Sequence, residues 1–158
     1  MSERKQELLV RLQKGLEKTR AVFNTFVPAQ WEAVLYTDPY PWTARDLLAH
    51  FLSSEEGLLQ LVQQIVAGGP GAPEGFDYNA FNASEQQRLA GIPPDRLLAD
   101  LTAARQRTIA WVAGLDEADL DRVGAHPALG QVSVEVFLNA IYGHQLMHMR
   151  DLMQALGS

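Results

Sequence analysis

Apolar residues recur every three or four positions along four long stretches of the chain, with polar residues filling the gaps. From residue 3 to 26 the stripe is Leu8, Leu9, Leu12, Leu16, Phe23 and Phe26, one face of a helix that Pro28 is expected to end. A second helix starts at Thr43, with Asp46 three residues on in a capping-box arrangement, and runs to about Ala67. Its stripe is Leu47, Leu48, Phe51, Leu52, Leu58, Leu59, Val62, Ile65 and Val66. Residues 77 to 90 read as a short helix carrying Tyr78, Phe81, Ala83 and Leu89. Pro93-Pro94-Asp95 opens a third long helix, and Ser133 caps a fourth that extends to about Leu156. No segment alternates convincingly with period two, so no strand is expected.

The connections differ in character. Pro28 to Trp42 holds Trp31, Tyr36, Tyr40 and Trp42 among prolines, which predicts a segment packed over one end of the fold. Gly68 to Gly75 is the strongest break, but neither half has enough amphipathic helix to close a core alone. Asp116, Glu117, Asp119 and Asp121 make the connection after the third long helix acidic, the usual mark of a solvated surface. Together these features predict an all-α fold: one domain over residues 1–158, an antiparallel four-helix bundle with long crossover connections.

Composition narrows the function. Hydrophobic residues make up 47% and charged residues 20%, as in ordinary globular proteins, and no apolar run is long enough to span a bilayer. The N-terminal residues lack the apolar segment of a signal peptide, so cytoplasmic residence is expected. A net charge of -6 without clustered Lys and Arg argues against nucleic acid and leaves a small molecule as the expected partner. With no cysteine, a bound metal must be held by nitrogen and oxygen, and thiol chemistry must bring its sulfur from outside.

The candidate chemistry lies in the histidines. His144 and His148 stand four residues apart on the last helix, one above the other, in the arc of Phe137, Ile141 and Leu152. His50 sits past the edge of the second helix's stripe, beside Leu47, Ser54 and Leu61, which predicts a position toward the rim of the bundle. Two imidazoles at that spacing plus one from another helix could hold a divalent ion and leave a position open for water or substrate. The competing reading is that these are hydrogen-bonded core histidines. His126, next to Pro127, reads as structural or exposed.

Other chemistries fit less well. In His144-Gln145-Leu146-Met147-His148 the general-base glutamate of a zinc protease is replaced by Gln145, which helical projection turns away from the histidines. No G-x-S-x-G motif is present, and the glycine loop lacks the Lys and Ser/Thr of a phosphate loop. Asp46 reads as a cap, whereas Asp151 is either an orienting partner of a histidine or solvated.

Trp42-Thr43-Ala44-Arg45-Asp46-Leu47-Leu48-Ala49-His50 resembles the W-[ST]-x-x-[DE]-x-[LV]-x-H segment of DinB/YfiT-like proteins. The H-x-x-x-H formed by His144 and His148 is similar to that on their last helix, and His126-Pro127-Ala128-Leu129-Gly130 to the loop before it. The resemblance implies a divalent metal, zinc or nickel with iron as a further option, on His50, His144 and His148. It also implies relatives that transfer low-molecular-weight thiols such as bacillithiol, mycothiol or glutathione. Two functions remain open. One is a metal-dependent enzyme, transferase-like or hydrolytic, that activates a thiol or water. The other is a non-catalytic stress-response bundle that binds metal or ligand, with homodimerisation through a bundle face compatible with both. Trp42, Tyr78, Phe81 and Asn82 are the candidate pocket walls, with plain packing as the alternative for each.

Overall fold

The computed structural model describes residues 1–157. Four long helices carry it: α1 (Glu3–Phe23), α3 (Ala44–Val66), α5 (Pro94–Ala113) and α6 (Val134–Ala155). Between them lie the single turn α2 (Pro28–Trp31), α4 (Tyr78–Arg88) and a short 3-10 helix, Glu117–Asp121. The caps anticipated from sequence are present. Thr43 and Asp46 form a reciprocal box at the start of α3, and the Ser133 hydroxyl accepts from the Val136 amide at the start of α6.

Each of α1 and α3 packs against both α5 and α6, so the chain crosses the bundle diagonally twice. Two buried clusters give the helix directions. One joins Phe23 at the end of α1, Ala44 to Leu52 at the start of α3, Leu97 to Ala104 on α5 and Leu152 near the end of α6. The other joins Leu8 and Leu12, Val62 and Ile65, Val112, and Val134 to Ile141. Hence α1 and α6 run one way and α3 and α5 the other. The expected crossover bundle is observed, with two of its four neighbouring helix pairs parallel.

Between the two clusters lies a polar layer. The Arg105 guanidinium and the Glu55 carboxylate, each with 1% of its side chain exposed, approach to 2.8 Å. Arg105 also donates to the Leu12 carbonyl and to Gln145 Oε1, Gln145 Nε2 donates to Thr19 Oγ1, and Thr108 Oγ1 donates to Glu55 Oε2. Every long helix contributes at least one member. Hydrogen bonding satisfies both buried charges, which is the condition for keeping them in an apolar interior.

Three expectations need correction. Helix α1 stops at Phe23 rather than at Pro28, which instead opens α2. The chain leaves the helix early so that Phe23, Phe26 and Trp31 can pack together, with ring centroids 4.7 to 5.2 Å apart. Strands also exist, as two antiparallel hairpins: β1 (Val34–Tyr36) with β2 (Trp42–Thr43), and β3 (Val123–His126) with β4 (Gly130–Ser133). Finally, His50 is not at an open rim; it is 6% exposed. The first hairpin lays Trp42 over it and closes that edge of α3.

The acidic connection is mostly solvated as expected, although Arg4 reaches across to Asp121 and Glu135. No described helix is long and apolar enough to cross a membrane.

Candidate metal centre

His144 and His148 face one another across one turn of α6, their Nε2 atoms 2.9 Å apart. His50, two turns into α3, brings its Nε2 to 3.3 Å from that of His144. Among the described residues these three form the group of His, Asp and Glu side chains that could share an ion, with one ligand atom from each lying within 4.8 Å of the others. The spacing can be tested against coordination geometry. Imidazole nitrogens bound to one divalent ion at about 2.0–2.1 Å stand roughly 2.9 to 3.4 Å apart for angles between about 90° and 109°. The two short separations, both to His144 Nε2, fall in that range, so each of those pairs has the spacing of ligands on a common cation.

The electrostatics agree. Burial, followed by charge on His144 and His148, pushes the His50 pKa down to about 3. Burial, then charge on His148 and His126, pushes His144 down to about 4. Burial also lowers His148, partly opposed by the charge of Asp151. All three imidazoles are therefore neutral near pH 7, the state in which nitrogen can ligate.

Tyr36, on β1, shapes the site, whereas the sequence marks it only as one aromatic of a covering segment. Its hydroxyl lies 2.5 Å from Asp151 Oδ2 and 2.7 Å from His148 Nδ1. An ionised carboxylate only accepts, so the Tyr36 proton goes to Asp151 and the phenol oxygen accepts from His148 Nδ1–H. That assignment leaves the His148 Nε2 lone pair directed at His144. Burial and the bond to Asp151 raise the Tyr36 pKa, which keeps its proton in place. Asp151 thus orients the histidine through the phenol rather than by direct contact. Asp46 is a cap, bonding the Thr43 amide.

The candidate pocket walls are dispersed. Trp42 lies against His50, ring centroids 4.8 Å apart. Phe81 lies tilted against Phe76 and rests near Gly57, two turns beyond His50 on α3. Asn82 is half-buried beside it on α4, and Tyr78 is 51% exposed. Gln145 points away from the triad into the polar layer, as the helical projection required. Two surface grooves also lie elsewhere; one runs between α1 and α6 along the α6 flank opposite the histidines, past Tyr142, Leu146, Met149 and Met153, and the other runs past Trp31, Arg45 and Ile92.

His126 closes β3, opposite Gly130. Its Nδ1 accepts from the Ala128 and Leu129 amides, its ring packs on Phe137 at 4.8 Å, and its Nε2 is buried without a partner. These contacts agree with the structural reading of this residue.

A model of the DinB superfamily matches residues 11–152 of the chain. The chain belongs to the DinB superfamily. Several solved structures share the DinB bundle. YfiT from Bacillus subtilis, described as a probable metal-dependent hydrolase with an unusual four-helix bundle topology, superposes with a TM-score of 0.76 at 18% identity, covering 99% of this chain and 90% of that one. The mycothiol-dependent maleylpyruvate isomerase gives 0.77 at 18% identity, over 96% of this chain but 63% of that one. The colibactin self-resistance protein ClbS, in a complex with double-stranded DNA, gives 0.63 at 16% identity, covering 90% and 93%. At such identities the likeness of this DinB protein to them is one of fold. No curated protein matches it.

Proposed function

We propose that this DinB protein is a metal-dependent enzyme in which His50, His144 and His148 hold a divalent ion, zinc or nickel with iron as a further option. The observation that carries the reading is the convergence of three neutral imidazoles, with His144 Nε2 2.9 Å from that of His148 and 3.3 Å from that of His50. An ion held by these three residues would supply Lewis acidity, lowering the pKa of a small thiol or water bound to it toward neutrality. Tyr36 and Asp151 hold the His148 ring in the ligating tautomer, and Trp42 shields the His50 side of the site from solvent. The substrate is then a small electrophile, attacked by a low-molecular-weight thiol in a transferase-like reaction or by water in a hydrolytic one. An isomerase that depends on mycothiol and YfiT, described as a probable metal-dependent hydrolase, share the fold and support that choice. The absence of cysteine from this chain fits a sulfur supplied by a cosubstrate. A net charge of -6 favours a small molecule over the DNA that ClbS binds.

One observation favours a non-catalytic metal-binding bundle instead. Asp151 is the carboxylate bonded into the site and is already engaged by Tyr36, while Asp46 is engaged as a cap. Among the described residues, no free general base is evident beside the triad. Metal analysis of tag-free protein, followed by a screen of glutathione, bacillithiol and mycothiol with a panel of electrophiles, separates the two. Turnover that vanishes in His148→Ala supports the enzyme. Full metal occupancy with no turnover across the panel supports the bundle.

A further inference from the structure

The groove between α1 and α6 has a volume of about 560 Å³, inside the range of small-molecule sites, about 300–1,000 Å³. Gly15 lets the Tyr142 ring lie against α1 at one end of it; a Cβ on Gly15 would stand 3.2 Å from Tyr142 Cδ2. Glycine inside a helix is less stable than alanine, so this close approach is built at a cost. Further along, the Gln145 amide donates to Thr19 Oγ1 at 3.0 Å, which leaves no charge on that part of the floor. The remaining walls are apolar, Ala21 and Val22 from α1 and Leu146, Met149 and Met153 from α6. Val22 and Met149 also pack on the core, so these walls are anchored from behind.

The charges along the groove have one sign. Lys18 stands on the α1 wall and Arg150 on the α6 wall, and no Asp or Glu lines it, although the chain holds 19 acidic residues against 13 basic ones. The acids next to them in sequence are engaged elsewhere, Glu17 by Gln13 and Asp151 by Tyr36. Arg88, Arg96 and Arg122 pair with carboxylates on the surface, whereas neither Lys18 nor Arg150 has an ion pair among the described residues. Two cations from opposite walls above an apolar trough complement a molecule with an anionic head and an apolar tail.

We infer that this groove binds a free, unbranched carboxylate of medium chain length, its tail along the apolar walls and its head between Lys18 and Arg150. The apolar surface is concave and the net charge is -6, which disfavours docking on an anionic bilayer. The site needs no metal, so the inference stands apart from the proposed function.

The probes are hexanoate, octanoate and decanoate, with decyltrimethylammonium as the cationic counterpart, titrated into chelator-treated protein. Methyl-labelled methionine reports the position, because the chain has four methionines and of these Met149 and Met153 line the groove. Decanoate should move those two methyl resonances saturably and leave Met1 and Met147 in place. It should bind roughly tenfold or more tightly than hexanoate, as four further methylenes enter the trough, and the cationic counterpart should not compete. Lys18, Ala21 and Arg150 are all exposed, so their replacement spares the core. Lys18→Gln and Arg150→Gln should each weaken decanoate about two- to fivefold, less so at high salt. Ala21→Trp, which fills the trough, should weaken it about tenfold or more. Unmoved Met149 and Met153 methyls in the wild type overturn the inference, and so does an affinity indifferent to all three variants. Binding to phosphatidylglycerol vesicles without binding of free decanoate would overturn it in favour of a membrane surface. A dimer that Ala21→Trp dissociates, seen by sedimentation in protein that ignores decanoate, would overturn it in favour of a second copy of this chain.

Discussion

Lowering the pH of the metal-free protein from 7 to 5 should remove a large part of its stability, through two residues. His50 and His144 have folded-state pKa values of about 3 and about 4, against 6.5 for an exposed imidazole. The unfolded chain takes up both protons as the pH drops through 6.5, while the folded protein takes up neither until well below 5. Because the folded values are depressed, stability is complete above the unfolded value and is lost as the pH falls, levelling off only below the folded values. At pH 5 the unfolded state gains about 2 kcal/mol per histidine by linkage, or about 4 kcal/mol together. A typical domain has only about 5–15 kcal/mol in all. Since pH 5 lies above both folded values, the figure depends chiefly on the unfolded pKa. Urea denaturation of chelator-treated protein at the two pH values, beside His50→Gln, His144→Gln and the double variant, isolates the effect, because carboxylates titrate alike in all four. The wild type should lose about 4 kcal/mol more than the double variant, with each single variant in between. An equal loss in wild type and double variant would refute the claim that burial keeps these imidazoles neutral.

Three further outcomes are expected. Tyr36→Phe should weaken metal binding about ten- to hundredfold, measured by competition with a chromophoric chelator; a change under about threefold would mean that His148 does not need the phenol to hold its orientation. Arg105→Met should destabilise the fold by about 3–5 kcal/mol in urea unfolding, because Glu55 would be left charged and buried, and replacing Glu55 by Leu as well should restore much of the loss. Gly124→Ala should cost about 1–3 kcal/mol in thermal or urea unfolding through collision with Ile65, and Ile65→Ala in the same chain should relieve part of it; additive losses would show the contact to be yielding.

The long helices and the His144–His148 pair were legible because their signals are local, and His50 joined them through the family resemblance of the segment from Trp42 to His50. A stripe at three and four, a Thr43–Asp46 box and an H-x-x-x-H all lie within one or two turns of chain. The hairpins were not legible, since β1 has three residues and β2 two, too few for alternation to show. Tyr36 bonds a histidine 112 positions away, a relation that no periodicity carries. The projection of α3 alone puts His50 at a rim, because it knows nothing of the hairpin that folds over it. The Arg105–Glu55 pair spans 50 positions and looks, residue by residue, like ordinary surface charge. The one usable hint was an excess of aromatics in the segment from Pro28 to Trp42, which did predict a cover over one end and, in Trp42, one residue beside His50.

The polar layer at mid-height has a mechanical consequence. Oily surfaces slide past one another with little penalty, and a helix displaced by one turn moves about 5.4 Å along its axis. Directional bonds to a guanidinium tolerate no such slip. Glu55 lies five residues beyond His50 on α3, and Gln145 is adjacent to His144 on α6, so the clasp around Arg105 sets how far up the bundle each imidazole stands. A residue that touches none of the three histidines thereby acts as the dowel that keeps them level.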